Sequence, residues 1–373
     1  GDCAGLPFTV VVSVNPRAEI GVLSTVICSG STFEISPTVG FAGNIVPAGT
    51  LYSWSLPAYT GSFTGLATGS NAVSISGTVR NTWNSQQTLT YSVTTLSGDC
   101  AGLPFTVVVS VNPRAEITAI SRVSCNGDLF VVSPTNNTNG IVPDGTLYSW
   151  NEPAITASIS GGASGTDKLF ISGTLFNQSN VTQRAYYSIV PVSGNCTGAS
   201  FSLEVILNPR PVITQMTTVT CSGVFFNITP VDGTNGIVPI GTKYRWEEPQ
   251  IVGGTIIGGE SKSGQDGIFG YLVNRTNVVQ TATYIVIPSI ANCGDGAPFT
   301  VVVTLNPRAE IGVLSTVICS GSTFEISPTV GFAGNIVPAG TRYSWSLPAY
   351  TGSFTGLATG SNAVSISGTV RNT

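Results

Sequence analysis

The stretch IVPAGTLYSW, residues 45–54, returns as IVPDGTLYSW at 141–150, IVPIGTKYRW at 237–246 and IVPAGTRYSW at 336–345. A segment rewritten at a near-constant spacing marks a repeat architecture, so the repeat, not the whole chain, must bury a core. Inside the ten residues the Gly-Thr pair ends a turn, where glycine takes positive φ at little cost. The residues after it alternate. Tyr52 and Trp54 recur as Tyr148 and Trp150, Tyr244 and Trp246, Tyr343 and Trp345, whereas the position before each tyrosine holds Leu51, Leu147, Lys243 or Arg342. Successive strand side chains point to opposite faces. The Tyr-x-Trp face therefore belongs to a core, and the face that accepts Lys or Arg belongs to solvent.

Asn-Pro-Arg turns beginning at Asn15, Asn112, Asn208 and Asn306 bound the repeats, giving units 15–111, 112–207, 208–305 and a shorter 306–373. Residues 1–14 read as the C-terminal strand of an upstream repeat, because GDCAGLPFTVVVSVNPRAEI at 1–20 recurs unchanged at 98–117. The chain thus reads as an internal window of a longer polypeptide, and an unpaired strand at one end with an incomplete unit at the other leaves strand donation between chains conceivable. Helical periodicity is absent. Short alternating runs punctuated by Gly, Pro, Asn and Ser predict strands: A over 18–27, B over 31–37, C over 50–56, E over 71–79, F over 87–96 and G over 104–111, with an irregular stretch at 57–70. A tryptophan on strand C and a tyrosine in strand F are marks of immunoglobulin-like sandwiches. The expected fold is all-β, a tandem array of such sandwiches stacked end to end.

Charged residues make up 9% of the chain and the net charge is −4, against roughly 25% charged residues in ordinary soluble domains. With no basic cluster, the electrostatic footprint of nucleic-acid binding is missing. The longest apolar runs, such as Phe105 to Val109, carry Thr or Ser and fall far short of the ~20 residues of a membrane helix.

The cysteines, Cys3, Cys28, Cys100, Cys125, Cys196, Cys221, Cys293 and Cys319, fall two to a period at two fixed motif positions. Such pairs in a β-type sequence indicate structural disulfides formed outside the cytoplasm, with buried free thiols the alternative. Three pairings are open: within a unit (Cys28–Cys100), sequential (Cys3–Cys28), or between neighbours (Cys28–Cys196 and Cys125–Cys293). In a sandwich the A–B and F–G turns lie at opposite ends, while bonded Cα atoms sit within about 7 Å. This favours the staple between neighbours.

Histidine is absent, which removes the usual Ser/His and Cys/His nucleophile pairs. Acidic residues such as Asp144, Glu247 and Glu248 occupy no repeated position, so neither a calcium site nor a carboxylate pair is predicted. No catalytic residue, cofactor or metal is expected. Lys168, Lys243 and Lys262 are not equivalent, which disfavours lysine–asparagine crosslinks. The Asn-x-Ser/Thr triplets at Asn136, Asn227 and Asn274 are weak glycosylation signals. Trp83, outside the repeated motif, reads as a core-edge residue, with sugar stacking as the alternative.

Together, Ile27-Cys-Ser-Gly30 before strand B, Gly-Thr-x-Tyr-x-Trp in strand C, an aromatic-centred strand F, a cysteine in the F–G turn and a strand G ending Val-Asn-Pro resemble the PKD-like, immunoglobulin-like repeats of giant surface proteins secreted by Bacteroidota. The resemblance implies an extracellular, cell-surface or filamentous adhesin without catalytic residues. Partners would be other repeats or copies of the same protein, with a surface glycan or host protein recognised by loops such as 57–70 as the alternative. Residues 15–82 and 306–373 differ only at Leu51 against Arg342, which suggests a larger, recently duplicated superrepeat.

Overall fold

The computed structural model describes residues 3–252 and 255–373. The described residues are almost entirely β, and their only helical segments are single 3-10 turns such as Phe41–Gly43. It divides into two compact units: residues up to 176 together with 184–206, and residues 177–183 together with 207–373.

The first unit opens with the first repeat, whose strands are β1 (Leu23–Cys28), β2 (Thr32–Ile35), β3 (Leu51–Trp54), β4 (Ala58–Tyr59), β5 (Phe63–Thr64), β6 (Gly69–Ala72), β7 (Ile75–Thr78), β8 (Arg80–Asn81), β9 (Gln87–Ser97), β10 (Cys100–Ala101) and β11 (Phe105–Asn112). One sheet has the order β1-β11-β9-β3-β6, with β4 and β10 also on β9. The facing layer pairs β2 with β7 and β5 with β8. Alternation explains the layering. In β9 and β11 every second residue is buried, so Leu89, Tyr91, Val93, Phe105, Val107, Val109 and Val111 meet Phe33 and Ile75 from the opposite layer. Each fully buried side chain of this kind contributes on the order of 1.5–3 kcal/mol.

Two details depart from the expected strand map. Strand A is shorter than 18–27, and it pairs parallel with β11, Cys28 opposite Asn112. The run expected as a single strand E at 71–79 is two strands on different sheets: β6 pairs with β3, and β7 pairs with β2. The chain crosses layers after Asn71, whose φ of 50° lies in the left-handed region that asparagine tolerates better than most residues. β6 reads Gly-Ser-Asn-Ala and carries no hydrophobic alternation of its own, so the crossing leaves no mark in the hydrophobic pattern.

The second repeat reuses this plan, its larger sheet running Ile120–Cys125, Phe201–Asn208, Gln183–Ser193, Leu147–Trp150 and Gly165–Lys168. In the second unit, Met216–Cys221 pairs parallel with Phe299–Asn306, and the core gathers Phe226, Tyr244, Trp246, Ile268, Tyr284 and Val301. Residues 306–373 repeat the early strands, including Thr323–Ile326, Tyr343–Trp345 and Ile366–Thr369.

Candidate functional site: the repeated core motif and the cysteine turns

The ten-residue stretch works as a turn followed by a plug. Gly49 takes φ 77°, and the Thr50 hydroxyl donates to the Pro47 carbonyl at 2.7 Å. The same bond recurs from Thr146 to Pro143, Thr242 to Pro239 and Thr341 to Pro338. In the first two repeats the threonine also meets a buried serine at the end of strand F, Ser97 or Ser193. The turn is thereby tied to the far end of the sheet before the Tyr-x-Trp strand begins.

Tyr52, Trp54, Tyr148, Trp150, Tyr244 and Trp246 are buried, while Leu51 is half-buried and Lys243 exposed. Tyr343 and Trp345 are only half-buried. Tyr52 packs edge-on against Phe105, and no strand equivalent to β9 or β11 occurs within 306–373 to cover their counterparts. In the first two repeats the indole lies over a glycine across the strand pair: a Cβ at Gly69 would stand 2.2 Å, and at Gly165 2.4 Å, from the ring. In the third repeat Lys262 takes that place, opposite Trp246. There the indole stacks edge-on against Phe269 and its N–H has no acceptor, whereas Trp150 donates to the Ala163 carbonyl at 3.0 Å.

Each complete core carries a second aromatic pair: Phe33 with Tyr91, Phe130 with Tyr187, Phe226 with Tyr284. The hydroxyls of Tyr187 and Tyr284 are buried without a hydrogen-bond partner, over glycines whose Cβ would come within 2.7 Å at Gly162 and 2.9 Å at Gly259. Burial pushes Tyr187, Tyr244 and Tyr284 up to about 12.

An asparagine clasp escaped the sequence reading. Asn81, Asn177 and Asn274 are each 1% exposed. Asn81 donates to the carbonyls of Ser85 and Val111, Asn177 to Val181 and Leu207, and Asn274 to Val278 and Leu305. Each Oδ1 accepts the backbone N–H two residues on, from Trp83, Ser179 and Thr276. The triplet at Asn274 is therefore an internal turn closure, with its amide committed to the fold, and not a glycan acceptor. Asn227 is exposed, and Asn136 caps the Val142 N–H. Asparagines at a constant offset before strand F were the available signal. Trp83 is half-exposed beside the first clasp.

Cys28 is bonded to Cys196, with Cα atoms 5.6 Å apart. The bond runs from the A–B turn of the first repeat to the F–G turn of the second. Nearby, Arg80 of the first repeat forms an ion pair with Glu116 beyond the Asn-Pro-Arg turn. Cys125 and Cys293 are also disulfide-bonded. Cys3, Cys100, Cys221 and Cys319 are free thiols.

Among the described residues no group of three or more His, Cys, Asp and Glu is placed to hold a metal ion, and no helix is long and apolar enough to cross a membrane. The charged pairs, such as bidentate Arg245–Asp295 and Lys243–Asp266, lie on exposed faces. Arg245 hydrogen bonds hold the Asp295 carboxyl below its usual value. An open groove of about 1040 Å³ lies on the second repeat, between Trp150, Ile155, Gly162, Asp167 and Phe170. Ile155 and Gly162 fall in the stretch equivalent to 57–70, and Trp150, Asp167 and Phe170 flank it.

Sandwiches with separate cores, joined by short proline turns and a disulfide, define a tandem extracellular-type repeat module. The chain belongs to the PKD-like domain family, whose model matches residues 24–115, 122–211 and 214–309. No curated protein matches its sequence. Among solved structures it is similar to cadherin domains 3–6 of protocadherin gamma B2 (9% identity, 80% of this chain and 76% of that one, TM-score 0.25). It is also similar to the FN1–FN3 domains of chicken CNTN1 (9%, 69% and 89%, 0.27) and to the four N-terminal Ig domains of Dscam1 (8%, 80% and 74%, 0.22). TM-scores this low carry no argument about function.

Proposed function

We propose that the chain is a structural segment of an extracellular bacterial filament or adhesin stalk, providing reach and attachment at or beyond a cell surface. The observation that supports this reading best is the Cys28–Cys196 bond. It joins two sandwiches that each close a core of their own, so it adds nothing a single fold requires and instead resists separation and rotation of neighbours. Disulfides of this kind persist in oxidising surroundings, which agrees with an extracellular site. The proline turns limit hinge freedom. Units at 15–111, 112–207, 208–305 and 306–373 are the proposed building blocks, and other copies of the protein the proposed neighbours.

Immunogold electron microscopy of the producing cells tests the proposal. Label on projections or shed filaments is the expected result; label confined to the cytoplasm overturns it. A second reading, adhesion through sandwich loops, draws on the groove beside Trp150, whose lining sets apolar Trp150, Ile155 and Phe170 beside charged Glu152, Asp167 and Lys168, a combination of apolar wall and orienting polar groups found in ligand sites. Binding of the chain to a glycan array, lost on Phe170→Ser, would favour it.

A further inference from the structure

Each Tyr-x-Trp strand is flanked by an outer strand of the same kind. In the first repeat it is β6, last in the order β1-β11-β9-β3-β6. Its equivalents are Gly165–Lys168, Lys262–Gln265 and Gly360–Ala363. All are irregular in the same place. Tyr52 faces Ala72 and Trp54 faces Gly69, so a step of two residues on β3 meets a step of three on β6. The same shift falls between Tyr148 and Trp150, Tyr244 and Trp246, Tyr343 and Trp345. One extra residue on the outer strand is a β-bulge, which bends the strand and increases its twist.

The bulge is maintained in two ways. Asn71, Asp167 and Asn362 take φ of 50°, 52° and 53°, a left-handed conformation that few side chains tolerate. Each donates its backbone N–H to the serine between the tyrosine and the tryptophan: Ser53 at 3.0 Å, Ser149 at 3.0 Å and Ser344 at 3.1 Å. In the third repeat that serine is replaced by Arg245, and the bulge residue is Gly264 at φ 69°, which reaches the same conformation unaided. The two positions change together. Where the serine is absent, so is the residue that needs it, and the bulge persists. A feature kept by two different chemistries is kept for its shape.

The shape matters because β6 is an edge: among the described residues no strand pairs with its outer side. A straight open edge is a template for another strand, and proteins blunt such edges with lysine, proline or a bulge. Lys168 and Lys262 supply the charge in the second and third repeats. β6 and its copy at 360–363 read Gly-Ser-Asn-Ala, with neither lysine nor proline, so there the bulge acts alone. We propose that the serine-held bulge is an edge guard, which keeps β6 and its equivalents from pairing side by side with the same strand of a second copy. The N–H of Asn71 is turned onto Ser53 and is not offered outward, and the bend takes its neighbours out of line with an incoming ladder. The inference concerns contacts between copies that the fold forbids, and it stands whether or not the protein is a stalk.

The test removes the bulge and keeps the pairs on either side of it. Deletion of Asn71 leaves Ala72 to face Tyr52 and Gly69 to face Trp54, with Ser70 between them in a regular ladder. The whole chain, its free thiols alkylated, is followed by sedimentation velocity over a concentration series and by hydrogen exchange of the amides at 69–72. The deletion variant is expected to dimerise at concentrations where the wild type is monomeric, with exchange at 69–72 slowing as dimer forms. Ser53→Ala, which unpins the bulge without removing it, is expected to speed exchange there in the monomer and to shift association in the same direction. Adding Asn71→Gly, which copies the third repeat, is expected to restore both to wild type. A deletion variant that keeps the wild-type urea midpoint and stays monomeric overturns the proposal, as does a dimer whose 69–72 amides are unprotected. If the deletion unfolds the first repeat, Ser53→Ala decides, and association and exchange at wild-type levels overturn the proposal equally.

Discussion

Replacing Tyr284 by Phe should stabilise the third repeat, although it removes a polar group from the middle of a core. The hydroxyl is fully buried and has no partner, and a buried hydroxyl without a hydrogen bond costs about 1–3 kcal/mol. The variant is therefore expected to gain about 1 kcal/mol or more near neutral pH. Its alkaline behaviour is a second, independent signature. Burial pushes Tyr284 and Tyr244 from 10.0 up to about 12. Below pH 10 both are neutral whether the repeat is folded or unfolded, and their contribution is fully present. Between pH 10 and 12 the unfolded chain releases protons that the native core retains, so stability falls with rising pH. Each tyrosine contributes a slope of up to about 1.4 kcal/mol per pH unit, so the pair gives about 2.7 in the wild type and about 1.4 in the variant. Urea denaturation followed by tryptophan fluorescence at a series of pH values would measure both effects in the transition of the third repeat. A variant less stable than wild type at neutral pH, or one with an unchanged alkaline slope, would refute the reasoning.

Four further outcomes are expected. Asn274→Ala should cost about 2–4 kcal/mol, since it strands the Val278 and Leu305 carbonyls and the Thr276 N–H. Asn227→Ala, at an exposed position, should lie within about 0.5 kcal/mol of wild type in the same melts. Gly165→Val should destabilise the second repeat by about 1–3 kcal/mol, because its side chain enters the Trp150 ring space; unchanged urea midpoints would contradict this. In single-molecule stretching, reductant should release the length held between Cys28 and Cys196, a separation of 168 residues, or roughly 570 Å at about 3.4 Å per residue. Force curves indifferent to reductant would rule out a load-carrying bond.

Much of the fold was legible because four copies of a motif let positions be compared within one chain. Tyr52 and Trp54 against Leu51, with Lys243 and Arg342 at its equivalents, gave the inward and outward faces directly, and the alternation of strands F and G gave the core. The layer crossing after Asn71 was not legible, since β6 is a Gly-Ser-Asn-Ala run without hydrophobic alternation, so nothing in it marks the change of sheet. The clasp at Asn81, Asn177 and Asn274 was hidden for another reason. Its chemistry is satisfied by backbone carbonyls, which have no letter in the sequence, and in two copies, at Asn177 and Asn274, it reads as a glycosylation triplet.

Repeated sequence carries a hazard of its own, because an unfolded stretch of 15–82 has an almost exact copy at 306–373 whose strands it can pair with wrongly. The bond between Cys28 and Cys196 acts against that error. A first repeat that opens remains leashed to its neighbour, which raises the local concentration of its proper partners over that of distant look-alikes. The crosslink thus serves as a proofreading device, helping a chain of near-copies to find its own register again after each disruption.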